Sequence, residues 1–276
     1  MSRPVELIKS QEPGNLQLSA LRESGPIIHA FSTREGGLSK HPYATLNLGL
    51  RVGDDPEAVK ENRRRFFSAL GIEGSQVVRV KQVHGASVLV VDEVLVNKDG
   101  FPRLLLDEGY EYDAMVTNQR ELALVISTAD CPPIFILDPV RKAISAIHAG
   151  WRSTVKRITQ RALEKMAESY GTKAGDCMAA IGPGIGPCCY EVDSLVIKPL
   201  SKAFPYWQEL VKEKENARWN LDLAKANLRL LLEAGVKESN IFSTGLCTSC
   251  RADLFFSHRR EKGRTGRMMN VILLRT

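Results

Sequence analysis

The chain has 276 residues, 43% of them hydrophobic and 25% charged, with a formal net charge of +6. That length allows one large domain or two small ones with a sizeable core, and the composition excludes a disordered or fibrous chain. No apolar run approaches the roughly 18 residues of a membrane span, and residues 1–17 lack the long apolar stretch of a signal peptide. A cytoplasmic protein with no membrane partner is expected.

The first strand expected is IIHAFST, residues 27–33, followed by a polar, Gly-containing loop. Residues 54–71 read as a helix with Asp55 as N-cap, Pro56 at the first helical position and Gly71 closing the end. QVVRVKQVHG and SVLVVD alternate like two strands joined at His84-Gly85-Ala86, and residues 93–112 read as an irregular surface excursion. DAMVTN, ELALVIST, PPIFILD and KAISAIH give four further strands. Ser153 is expected to cap one long helix that ends at Gly171. A strand from DCMAAI then enters a Gly/Pro loop, helices are expected near 193–203 and 222–234, and the final stretch reads as two strands around a basic loop. Strand runs outnumber helices and often adjoin one another. This predicts an α+β fold, a single domain with mixed sheets.

Three positions share one local grammar. His84 follows VRVKQV and precedes Gly85; Cys131 follows LALVISTAD and precedes Pro132-Pro133; His148 follows AISAI and precedes Ala149-Gly150. Each ends an extended apolar run and is followed by a turn, so all could meet where strand ends converge. Two imidazoles and one thiolate suit zinc, and three protein ligands leave a fourth position open, as in a catalytic site. Taken singly, each residue reads as a hydrogen-bonded histidine or a core cysteine, and the long spacings match no compact zinc signature.

Cys247-Thr-Ser-Cys250 is a rival metal motif, half of a zinc ribbon. Its other half is missing from the pattern, because Cys188-Cys189 is vicinal and Cys177 stands alone. The pair therefore reads as loop thiols near the site, or structural ones. GPGIGP, residues 182–187, lacks the Lys-Ser/Thr of a phosphate loop, and its prolines remove backbone donors. Better anion candidates are Arg34 after the first strand, Arg63 on the 54–71 helix beside an inward Asn62, Arg152 at a helix N-terminus, and Arg259 and Arg260.

Together KQVHG, DAMVTN, TADCPPIFILD, AIHAGWR, IGPGIGPCCYEV, FFSHRR and TGR resemble the YfiH-type laccase-domain family, from about residue 27 onward. That family is also described as polyphenol oxidase or multicopper oxidase-like and as purine nucleoside phosphorylases. The resemblance implies one domain over 1–276, with 1–25 as an N-terminal extension, in α/β/β/α layers similar to cytotoxic necrotizing factor deamidases. It implies zinc held by His84, Cys131 and His148, with Arg34, Gln82 and Asp130 beside the site. It implies phosphorolysis of adenosine, inosine, guanosine and methylthioadenosine, with phosphate as co-substrate, and adenosine deamination besides. The chain departs from the family pattern at Ser153, Gly184 and His258.

For the chemistry, the arginines Arg34, Arg63 and Arg152 would hold phosphate or substrate. Asp130, next to Cys131, would serve as the acid/base that deamination needs, since neither metal-site histidine begins an HxE motif. A copper polyphenol oxidase is a second reading, but only His29, His41 and His258 remain for further coppers. A third is a metal-free hydrolase or deamidase with Cys131 as nucleophile and His148 as base. Nucleic-acid binding ranks last, as aromatic residues are few and no basic-aromatic motif interleaves them.

Overall fold

The computed structural model describes residues 7–11, 13–73, 77–92 and 111–276. In chain order the elements begin with β1 (Leu7–Gln11), β2 (Gly14–Leu18), α1 (Ser19–Arg22), β3 (Ile27–Ser32), α2 (Pro56–Ala69), β4 (Val77–Val78) and β5 (Val88–Val90). They continue with β6 (Ala114–Thr117), β7 (Ala123–Thr128), β8 (Pro133–Asp138), β9 (Ala143–His148), α3 (Trp151–Val155), α4 (Ile158–Tyr170) and β10 (Met178–Ile181). The remainder are β11 (Glu191–Val192), α5 (Ser194–Ala203), β12 (Val211–Lys214), β13 (Arg218–Leu221), α6 (Leu223–Glu233), β14 (Ile241–Ser243) and β15 (Met268–Leu274).

Among the described residues two six-stranded sheets carry the fold, in the orders β1-β2-β3-β15-β7-β4 and β14-β10-β8-β9-β6-β5. Each is mixed: β4 runs parallel to β7, and both β5/β6 and β10/β14 are parallel pairs. Period-2 alternation sends one set of side chains to the space between the sheets and the other outward. Phe31, Leu124, Ile126 and Ile272 of the first sheet meet Phe135, Leu137, Ile144 and Ala146 of the second in one cluster. The Phe31 and Phe135 rings stack there at 4.9 Å. On the outer face of the first sheet, Ala30, Val125 and Val271 pack under Phe66 and Phe67 of α2. On the outer face of the second, Val116, Ile134, Ile136 and Ile147 pack under Ile158, Ala162 and Met166 of α4 and Leu231 of α6. The result is the expected single domain in α/β/β/α layers. A small third sheet, β11-β13-β12, pads one end together with α5. Among the described residues no helix is long and apolar enough to cross a membrane.

The helix ends at α2 are as expected, with Asp55 Oδ1 accepting the Glu57 amide at 3.0 Å and Gly71 at φ 64°. Asn62 faces inward, where its amide nitrogen reaches Ser39 Oγ at 2.9 Å and Asn47 O at 3.0 Å. Elsewhere the local reading is corrected. Ser153 caps nothing: Gly150 is the N-cap, α3 lasts five residues, and the buried Ser153 hydroxyl has no partner among the described residues. The single long helix is broken at Arg157, which takes a left-handed φ of 62°. Its guanidinium repays that strain by bonding Gln160, Glu233 and the Ala203 carbonyl, tying α4 to the ends of α5 and α6.

QVVRVKQVHG forms a strand only at Val77–Val78, and β4 and β5 lie in different sheets instead of pairing. The region after β14 yields one strand, β15, where two were expected. Phe255 and Phe256 follow a turn instead, and the Phe255 amide bonds back to Arg251 O at 2.9 Å rather than to a neighbouring strand. The chain there winds around Arg260, whose guanidinium donates to the carbonyls of Thr248, Ser249 and Phe255. Of the expected excursion at 93–112, residues 93–110 lie outside the described residues.

Candidate active site

Strand direction explains why distant residues meet. β6 and β8 both run antiparallel to β9, so their first residues lie beside the last residue of β9. Pro133 pairs with His148, which places Cys131 next to it, and Ala114 pairs with Ile147, which places Asp113 next to it. β5 runs parallel to β6 with Val88 opposite Ala114, so the turn that precedes β5, carrying His84, arrives at the same end. His84, Cys131 and His148 thus converge with ligand atoms within 4.8 Å of one another. The two imidazole centroids are 4.8 Å apart, with planes at 76°.

Asp113 organises the cluster. It is fully buried, and its Oδ1 lies 2.8 Å from His148 Nδ1. The same carboxylate accepts the backbone amides of Val83, His84 and Gly85, which holds the His84 turn at a φ of 58°. Burial acts to raise the Asp113 pKa, but the bonds from His148 and these amides outweigh it and hold the carboxyl below its usual range. With Nδ1 so occupied, Nε2 of His148 is the nitrogen left to face the cluster. Burial opposes ionisation of both Cys131 and His148, yet their mutual attraction wins: the thiol is pulled down and the imidazole pushed up. A thiolate beside two imidazoles, one oriented by a carboxylate, is a donor set that fits zinc with a fourth position open. Gly150 makes room for it, since a Cβ there would lie 3.0 Å from Cys131 Sγ and 3.1 Å from His84 Cδ2.

The cluster opens into a cavity of about 580 Å³, within the usual range for small-molecule sites. Gln82, Asp130 and Arg152 line it as well as the three cluster residues. Gln82 is clamped to Ser127, giving its amide to the carbonyl and accepting the backbone N–H, both at 2.8 Å. Asp130, at a φ of 91°, accepts from Thr248 Oγ1 and from the Arg259 amide, both at 2.6 Å. Arg152 is exposed and lies over the Trp151 ring at 4.3 Å. Arg34 and Arg63 are not among the lining residues. Arg34 bonds Ala44 O, Ala252 O and Glu261 and stacks on Phe256, while Arg63 donates to Leu48 O.

The family model for multi-copper polyphenol oxidoreductase laccase matches residues 28–275. The chain belongs to this laccase family. A relative from Deinococcus radiodurans named purine nucleoside phosphorylase is 44% identical over 244 residues, 88% of each chain. A protein named adenosine deaminase RL5, from an unknown prokaryotic organism, is 34% identical over 89% of this chain and 93% of its own. The crystal structure of YlmD from Geobacillus stearothermophilus superposes with a TM-score of 0.88 at 36% identity, covering 98% of this chain and 100% of that one.

This laccase-family chain carries site residues that sequence reasoning missed. In the sequence Asp113 shows only as the first residue of the strand DAMVTN. Arg51, Arg79 and Arg267 line the cavity with Arg152 and Arg259, giving it a basic wall. Arg267 is half-buried, its guanidinium held by the carbonyls of Thr265 and Gly266, and burial lowers its pKa against the pull of Asp130 and Cys131. The family motif TGR was the only signal for it. The expectation that Cys247-Thr-Ser-Cys250 lacks a partner is corrected: Cys188 and Cys189 lie against it, and the four sulfurs fall within 4.8 Å of one another. GPGIGP is not the tight strand-to-helix turn its glycines and prolines suggest: Gly184 bridges Cys247, the turn falls at 187–189, β11 precedes α5, and a Cβ on Gly184 would lie 3.0 Å from the Pro132 backbone.

Proposed function

We propose that this chain is a zinc-dependent purine nucleoside phosphorylase that also deaminates adenosine. It would act on adenosine, inosine, guanosine and methylthioadenosine. The observation that carries the reading is the meeting of His84, Cys131 and His148 at the floor of a cavity walled by five arginines. The names of relatives that match most of the chain support the same two activities.

Phosphorolysis joins a phosphate oxygen to the ribose anomeric carbon as the bond to the purine nitrogen breaks. The chain's task is to hold an anion against that carbon and to stabilise the departing base. Arg152, Arg259 and Arg267 surround the space in which phosphate would sit, and a charge-assisted bond from each is worth about 1.5–3 kcal/mol. A bound zinc ion supplies Lewis acidity and an open coordination position. Asp130 is assigned the acid/base role in deamination, since each of its oxygens keeps a second lone pair beside the bonds from Thr248 and the Arg259 amide. Arg34 and Arg63 lie outside this cavity, with bonds to Ala44 O, Ala252 O and Glu261 and to Leu48 O, and the phosphate role falls to the lining arginines.

A second reading rests on a specific arrangement. Asp113, His148 and Cys131 form a carboxylate–imidazole–thiol series of the kind that activates a nucleophile without metal. His84 separates the two readings, because the series does not need it. Purified wild type and a His84→Ala variant are compared for zinc content, for phosphate-dependent cleavage of inosine and for ammonia release from adenosine. The proposal expects one fewer zinc per chain in the variant and loss of both activities. Turnover that survives both the substitution and chelation would move the assignment to the thiol mechanism.

A further inference from the structure

Four sulfur atoms meet outside the candidate active site. Cys188 and Cys189 lie in the segment after β10, and Cys247 and Cys250 in the segment after β14. Those strands are parallel neighbours ending at Ile181 and Ser243, so the two segments leave the sheet side by side. They stay laced together: the Gly184 amide donates to Leu246 O at 3.3 Å, and the Thr248 amide to Gly184 O at 3.0 Å. Cys250 Sγ lies 3.3 Å from Cys188 Sγ and 3.4 Å from Cys189 Sγ, and all four sulfurs lie within 4.8 Å of one another.

Those separations suit a shared ion. Four sulfurs placed tetrahedrally at the usual zinc–sulfur length of about 2.3 Å are about 3.8 Å apart. A disulfide would need one pair at about 2.05 Å. The Cys247 sulfur is also fixed by the backbone, with the Gly186 amide donating to it at 3.2 Å.

We propose that Cys188, Cys189, Cys247 and Cys250 bind a second zinc ion in a closed four-thiolate site, separate from the His84–Cys131–His148 cluster. Binding replaces four S–H bonds with four zinc–sulfur bonds and releases four protons; no electrons move. A filled tetrahedron has no position for substrate, so the role is structural. What it braces is the cavity wall. The segment after β10 gives the Ile185 amide to Asp130 O at 2.7 Å and leads to Tyr190, which lines the cavity. The segment after β14 gives Thr248 Oγ1 to the Asp130 carboxylate and two carbonyls to Arg260.

The test uses the full chain in which His84→Ala and His148→Ala remove the first cluster, so its outcome does not depend on the proposed activity. Metal analysis is expected to find about one zinc per chain still bound, and X-ray absorption a first shell of sulfur alone. Cobalt exchanged into the same protein should show sulfur-to-metal charge-transfer absorption and the strong visible bands of a tetrahedral ion. Adding Cys188→Ser and Cys250→Ser should remove that metal. A double-histidine variant free of metal, a first shell containing nitrogen or oxygen, or an intact mass lowered by a disulfide among these cysteines would overturn the assignment.

Discussion

Asp113 Oδ1 lies 2.8 Å from His148 Nδ1, and the carboxylate of Asp113 also accepts the amides that shape the His84 turn. One buried side chain therefore sets the position of two of the three proposed ligands. Asp113→Asn keeps the shape but removes the charge and half the acceptor capacity. Zinc affinity at the cluster, measured by chelator competition, should fall about 10- to 100-fold. Unchanged affinity would show that the histidines hold their places unaided.

Gly150→Ala tests the space rather than the charge. The backbone φ of Gly150 is −64°, which alanine adopts freely, so the cost comes only from the contacts of the new methyl group with Cys131 and His84. The thermal midpoint should move little while cluster metal affinity drops at least tenfold. An alanine variant that binds zinc like wild type would place the ion away from Gly150.

Arg152→Ala and Arg267→Ala should each raise KM for phosphate by about tenfold or more, the loss of one charge-assisted bond. Arg34→Ala should act on thermal stability instead, because its guanidinium is spent on Ala44, Ala252 and Glu261. A larger KM effect at Arg34 than at Arg152 would mean that the anion lies behind the wall described here.

Asp130→Asn, assayed with adenosine, should lose most ammonia release if this carboxylate transfers protons. The asparagine oxygen can keep the Arg259 amide while its NH2 donates to the Thr248 hydroxyl, which can accept as well as donate, so folding should survive. Undiminished ammonia release would remove Asp130 from the reaction and leave it as a brace for Arg259.

His29 supplies a pH effect away from the site. It accepts the Leu18 amide at 2.8 Å through Nε2, and burial, aided by the Arg22 charge, lowers its pKa from 6.5 to about 4. Above pH 6.5 it is neutral in both folded and unfolded chains. Between 6.5 and about 4 only the unfolded chain takes up the proton, so stability falls with pH by about 3 kcal/mol across this window. Denaturant titrations at several pH values should show that slope, and His29→Gln should flatten it.

The cluster residues were legible because each ends an apolar run before a turn, and that pattern survives any pairing of the strands. The layered fold was legible for a similar reason: β7, β8 and β9 are short, near-continuous apolar runs, as central strands covered on both faces are. What escaped depends on partners. Asp113 gains its role only when β6 lies beside β9, and nothing in DAMVTN signals that it will hold a turn 29 residues earlier. The break at Arg157 needs α5 and α6 in place to supply its bonds. The four cysteines look incomplete in sequence because their two halves come from different loops, joined by the pairing of β10 with β14.

β15 lies between β3 and β7, pairing Asn270 with Phe31 on one side and with Ile126 on the other. On a ribosome, then, the first sheet stays split until residues 268–274 emerge, with two apolar strand edges open to neighbours. The strands of the second sheet all lie between Val88 and Ser243 and can assemble earlier. Biogenesis should depend on whatever shields that gap, and substitutions that weaken β15 should lower soluble yield more than they lower the stability of the finished protein.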